Sequence, residues 1–124
     1  MGVLTTAGKN ALLDLIGAQG WYAEPFNGDP SGAGTALGAQ TDEGRQAIDG
    51  FASAASGEVA TNEAFTWTAA PSGSNITIDY IAFYDAATDG NLVGYGSVSS
   101  RTLEADETVT YPSGAITFTL TDPA

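Results

Sequence analysis

Ile76-Thr-Ile-Asp-Tyr-Ile-Ala-Phe-Tyr-Asp-Ala-Ala-Thr-Asp-Gly-Asn-Leu-Val-Gly-Tyr-Gly-Ser-Val98 is the stretch that decides the fold class. Its first nine residues are rich in β-branched and aromatic side chains, which suit a pleated, half-buried surface. Asp85–Gly90 then reads as a turn, because aspartate and glycine tolerate the positive φ angles that tight hairpins need. Asn91–Val98 brings the chain back as the partner strand. Within the first arm, Tyr80–Tyr84 is apolar on both faces, so it is expected to be the most buried strand. No recognisable catalytic chemistry surrounds the hairpin. The chain reads as a β-scaffold whose surface is its function.

Composition bounds the rest. A chain of 124 residues is expected to form a single domain over 1–124, burying roughly two-thirds of the surface its unfolded form exposes. There is no cysteine, so no disulfide, thiolate metal site or thiol nucleophile is expected. There is no histidine, which removes the usual general base near neutral pH and the commonest metal ligand. Lys9, Arg45 and Arg101 stand against 15 acids, for a formal charge of -12. Such a chain repels nucleic acid and anionic membranes, so neither is an expected partner. No stretch approaches the ~20 apolar residues of a membrane span, and the start lacks a signal peptide's basic and apolar regions. A soluble protein made in a cytosol, without a cleavable export signal, is the expectation. Two Trp, five Tyr and five Phe, with many Ile, Leu and Val, leave enough apolar surface for a core.

Outward from the hairpin, short alternating segments repeat. Phe65 and Trp67 alternate with Thr66 and Thr68 before Ala70-Pro-Ser-Gly73. Thr108–Pro112 reads as a strand after the acidic turn Leu103–Glu107, and Ser113-Gly114 turns the chain. Ile116, Phe118 and Leu120 then alternate with threonines, the pattern of a strand with one wet face. Arg45–Phe51 starts another strand, and Ala52–Asn62 holds a turn and a short strand. Trp21–Phe26 reads as a short strand, with Pro25 arguing for an edge or a strand end. About seven or eight such strands predict a mainly β, antiparallel sandwich or jelly-roll-like domain.

One short N-terminal helix, within a segment spanning 1–20, completes the expectation. Thr5 or Thr6 can cap it, and Ala7, Ala11, Leu12, Leu15 and Ile16 share one side, with Lys9, Asn10 and Asp14 on the other. An amphipathic helix this short needs a receiver, either the sheet of its own chain or a neighbouring subunit. Between strand and sheet, 27–44 reads as one long glycine-rich loop, and loops of that length are commonly functional.

Motifs that carry chemistry are few. Gly32-Ala-Gly-Thr-Ala-Leu-Gly38 has three residues between its last two glycines, where the dinucleotide fingerprint has two, and no helix follows. Asp85, Asp89 and Asn91 offer oxygen ligands but lack the alternate spacing and terminal glutamate of a calcium loop. Turn chemistry explains them. No Gly-x-Ser-x-Gly elbow occurs, and a serine triad is impossible without histidine. The expectation is therefore no enzyme, no catalytic residue, no metal and no cofactor. Trp21, Tyr22 and Phe26 beside a long loop are the candidate contact patch, since Trp and Tyr favour interfaces.

Taken in order, these segments resemble small phage virion proteins labelled tail-fibre-like or minor structural proteins. The resemblance is carried by Ala11-Leu-Leu-Asp-Leu15, Phe26-Asn-Gly-Asp-Pro-Ser-Gly32 and Arg45-Gln-Ala-Ile48. It continues through Ile81-Ala-Phe-Tyr-Asp-Ala-Ala-Thr-Asp-Gly-Asn-Leu92, Asp106-Glu-Thr108, Pro112-Ser-Gly114 and Ile116–Leu120. It departs at Trp21–Phe26, where the family carries an aliphatic strand ending in His-Thr. The resemblance implies a β-sandwich virion component without enzymatic residues. The lack of coiled-coil heptads or collagen-like repeats favours a capsid-surface decoration or minor capsid protein; the alternative is a minor tail or tail-fibre protein binding a receptor or glycan. The expected partners are the phage major capsid protein or tail proteins, with the chain present as a homo-oligomer or in many copies. Leu12, Ile16, Trp21, Tyr22, Pro25, Phe26, Asp29 and Pro30 are the expected virion-interface residues.

Overall fold

A computed structural model describes residues 5–17, 20–48, 51, 53–61, 64–71 and 73–119. The expected mainly β, antiparallel architecture with one helix is what the chain adopts. Among the described residues, helix α1 (Thr6–Gly17) is followed by nine strands: β1 (Trp21–Asn27), β2 (Thr35–Ala36), β3 (Gln46–Ile48), β4 (Glu58–Ala60) and β5 (Phe65–Thr68), then β6 (Ile76–Tyr84), β7 (Leu92–Leu103), β8 (Thr108–Tyr111) and β9 (Thr117–Thr119).

The hairpin of β6 and β7 is the backbone of a five-stranded sheet. β6 lies between β7 and β1, and the far edge of β1 is shared by β2 and β3. Ile81, Ala82 and Phe83 are fully buried, as two-sided burial requires. The turn is closed by its own aspartate: Asn91 donates to Asp85 Oδ1 from its backbone N–H (2.7 Å) and to Asp85 Oδ2 from its side chain (3.0 Å). Asp89 and Gly90 take positive φ values of 57° and 77°, the conformation for which those residue types are suited. β7 runs on to Leu103, past the expected end at Val98, because a register irregularity between Ile78 and Tyr80 lets its second half keep pairing with Ile76–Ile78.

β1 corrects an expectation. Proline normally marks a sheet edge, yet β1 is flanked on both sides. The carbonyl and nitrogen of a strand residue face the same way, and Pro25 O accepts from Leu37 N (2.9 Å) on the β2/β3 side. The missing N–H therefore falls in the gap between β2 and β3, where no ladder bond is lost. The 27–44 segment is likewise not an open loop. It contains β2, a 3-10 turn at Gly38–Gln40 and a bridge from Thr41 to Ala69.

The second layer consists of the pairs β5–β8 and β4–β9. Phe65, Phe51 and Phe118 from this side meet Trp21 and Phe83 from the sheet, with ring centroids 5.1–6.3 Å apart. Such tilted and edge-on contacts are the favoured aromatic geometries. Phe118 approaches so closely that a Cβ on Gly94 would lie 2.9 Å from its ring. Across the pair faces, Thr66 and Thr68 hydrogen-bond Thr110 and Thr108, and Thr77 bonds Thr102 across the hairpin, at 2.8–3.1 Å. Such cross-strand threonine pairs are one use of the abundant threonine. The pairs β6–β7, β5–β8 and β4–β9 are nested, as in a jelly roll. The two Greek keys of a complete jelly roll are not seen among the described residues. Leu120, expected at the end of the last strand, lies outside them.

Candidate functional site

Alternation along β1, β6 and β7 sends Ala23, Ile81 and Phe83 inward. The intervening residues build the outer face of the sheet. In register, Tyr22 stands beside Tyr84, Glu24 beside Ala82 and Tyr95, and Phe26 beside Tyr80 and Ser97. Four of the chain's five tyrosines thus share one face.

Arg45 organises one side of this face. Its Nε donates to Glu24 Oε1 (2.8 Å), and its Nη1 donates to the carbonyls of Ala86 (2.9 Å) and Asp89 (2.6 Å) in the hairpin turn. Its guanidinium lies 3.7 Å from the centre of the Tyr84 ring. Glu24 is buried, and its second oxygen accepts from Gly38 N (3.2 Å). Arg45 therefore joins β1, β6 and the hairpin tip, and its partner Glu24 extends the link to the 3-10 turn. Burial and the Glu24 charge raise the Tyr84 phenol above its ordinary value, with Arg45 opposing them. The shallow pocket here, about 370 Å³, is lined by Glu24, Gly38, Ala39, Gly44, Arg45, Ala87 and Thr88. Its charged groups are already paired, so it presents backbone and small side chains to a ligand.

The other side of the face is more open. Tyr95 is 41% exposed and packs against Tyr80 at 6.4 Å between centroids. The loop after β1 comes over this pair: Ser31 Oγ is hydrogen-bonded to Tyr95 OH (3.1 Å) and donates to Asp29 Oδ1 (2.7 Å), which also accepts from Ser31 N (2.8 Å). These bonds hold the Asp29 carboxyl below its ordinary pKa.

Helix α1 forms a second surface, and here the expected sides are reversed. Asn10 Oδ1 accepts from Gly57 N (2.9 Å), Asp14 Oδ1 accepts from Ala54 N (2.7 Å), and Leu13 is buried. The helix thus docks beside β4 through its polar side and one leucine. The stripe expected to be covered is open: Ala7 and Ala11 are exposed, Leu12 is 43% exposed and Leu15 is 64% exposed.

The expected interface residues consequently part company. Trp21 (8% exposed) and Pro25 sit in the core, not on a surface, because β1 is a covered strand. Phe26 stands in register with Tyr80 on the outer face but is buried. Tyr22 is half-buried beside Tyr84, while Asp29 is exposed and Pro30 half-buried. Leu12 is accessible on α1; the Ile16 side chain lies outside the described ones. Tyr95, Tyr80 and the Glu24–Arg45 pair were not singled out from sequence. The only trace was the position of Arg45, one of three cations among 15 acids.

Asp85, considered above as a calcium ligand, spends its oxygens on Asn91. Among the described residues, no group of three or more acidic side chains is placed to hold a metal ion, and no helix is long and apolar enough to cross a membrane. Comparison with curated proteins gives no match. A family model described as Podophage GP4 fiber I protein gp80 matches residues 4–119, which covers the helix and every strand from β1 to β9 among the described residues. The description names a fibre and does not specifically back the capsid surface favoured from the absence of fibre-like repeats. With its helix, sandwich and ordered turns all inside the matched span, the chain belongs to the Podophage GP4 fiber I protein gp80 family, a phage tail-fibre-like group of minor structural proteins.

Proposed function

We propose that this protein is a non-enzymatic structural subunit of a phage virion, a single β-sandwich module built into the fibre apparatus. We further propose that α1 attaches it to a neighbouring virion protein. The observation that carries this reading is the exposed stripe of Ala7, Ala11, Leu12 and Leu15 in a chain of a phage fibre family. Two large aliphatic side chains on one helix face gain by being covered, at about 25 cal/mol per Å² of apolar surface removed from water. The polar side of α1 is already committed to Ala54 and Gly57, so the helix can present this stripe without leaving its own domain. The charge of -12 keeps free copies apart until a partner is met.

The test is quantitative protein analysis of purified particles, combined with variants of the stripe. Fibre-level stoichiometry, a handful of copies per particle, is expected. Leu12→Ser with Leu15→Ser should fold with an unchanged melting temperature and fail to load. Copy numbers comparable to the major shell protein would overturn the fibre placement. Full loading of the folded double variant would overturn the α1 contact.

A further inference from the structure

We propose that the Tyr80–Tyr95 pair with Asp29 is a docking point for an arginine side chain of a partner protein. This inference concerns the outer face of the sheet and is independent of the attachment through α1.

Three observations carry it. First, the same face already binds a guanidinium from within the chain. Arg45 stacks on Tyr84 at 3.7 Å and gives its Nε–H to the Glu24 carboxylate at 2.8 Å. A planar cation is held there by a tyrosine face and a carboxylate, which is the chemistry that suits arginine better than lysine. Second, the neighbouring position repeats those two elements with the ring accessible. Tyr95 is 41% exposed, and Ser31 ties its phenol to the Asp29 carboxylate through bonds of 3.1 and 2.7 Å. Both Ser31 bonds fall on Oδ1 of Asp29, so the ring and the carboxylate are held in a fixed relation. Third, the chain is strongly acidic, with three cations against 15 acids, and Arg45 on this face is already engaged. Charge complementarity therefore selects a basic protein segment over an anionic ligand.

The experiment is an NMR titration of the full-length ¹⁵N-labelled protein at low ionic strength. The probes are Gly/Ser peptides of equal length carrying two arginines, two lysines or two citrullines. The arginine peptide should shift the amides of Ser31, Tyr80 and Tyr95 and bind about 2–5-fold more tightly than the lysine peptide. The citrulline peptide should be silent. Tyr95→Phe, which keeps the ring, should retain the arginine preference, and Tyr95→Ala should abolish it. Asp29→Asn should weaken the arginine and lysine peptides together. Equal binding of arginine and lysine to the wild-type protein would overturn the proposal and leave only attraction to a highly acidic surface. Shifts caused by a neutral oligosaccharide, with the arginine peptide silent, would overturn it in favour of a sugar-stacking surface.

Discussion

Arg45→Ala tests the central electrostatic claim of the fold. The Arg45 and Glu24 side chains are 16% and 10% exposed, so their pairing is largely out of water. Removing one partner of a buried pair costs about 3–5 kcal/mol, chiefly because the other charge is left uncompensated. Here the lower end applies, since Glu24 Oε2 keeps the Gly38 N–H and the pocket above remains open. The variant also loses two bonds to the hairpin carbonyls and the Tyr84 stacking. A loss of about 3 kcal/mol is expected, most of a small domain's margin. Urea unfolding followed by the fluorescence of the two buried tryptophans, Trp21 and Trp67, reads it directly. Hydrogen exchange at 85–91 should quicken in the same variant, because Arg45 anchors that turn at Ala86 and Asp89. In a double-mutant cycle with Glu24→Ala, the coupling should exceed about 1 kcal/mol. A loss below about 1 kcal/mol for Arg45→Ala, the range of an exposed pair, would refute the reasoning.

Phe83→Ala removes a fully buried ring that meets Trp21, Phe51, Phe65 and Phe118, and should cost about 3–5 kcal/mol in the same unfolding assay. Gly94→Ala should cost about 1–3 kcal/mol by pushing Phe118 away. Gly96→Ala, whose Cβ would meet Ile116 at 3.4 Å, should cost distinctly less, and a melting-temperature comparison of the two separates them. Asp85 is held below its ordinary value of 3.8 first by the backbone N–H of Asn91 and then by its side chain. A depressed carboxyl stabilises the fold above its unfolded pKa, and that stabilisation is lost as pH falls through the folded pKa. Melting temperature should therefore fall with acid below about pH 4, and Asp85→Ala should flatten that part of the profile. An identical acid profile in the variant would remove the turn from the account.

Local pattern is enough to specify the elements whose information is local. The hairpin of β6 and β7, its Asp89-Gly90 turn, the alternation of β5 and β8, and the existence of α1 all follow from side-chain period and turn chemistry. These are properties of residues two to four positions apart. Tertiary structure alone decided which surfaces are covered. Pro25 reads as an edge marker until the gap between β2 and β3 receives its missing donor. The apolar stripe of α1 reads as core until Asp14 and Asn10 turn out to accept from the backbone N–H groups of Ala54 and Gly57, 40 and 47 residues away. Hydrogen bonding contributes there because Gly57 is buried and its N–H would cost free energy without a partner, whereas a leucine left in water is common. The Glu24–Arg45–Tyr84 cluster and the Tyr80–Tyr95–Asp29 face assemble groups 15 to 66 positions apart, brought together by strand register and the loop after β1. No period or motif marks residues that become neighbours only when a sheet forms, so the candidate site was hidden where the scaffold was legible.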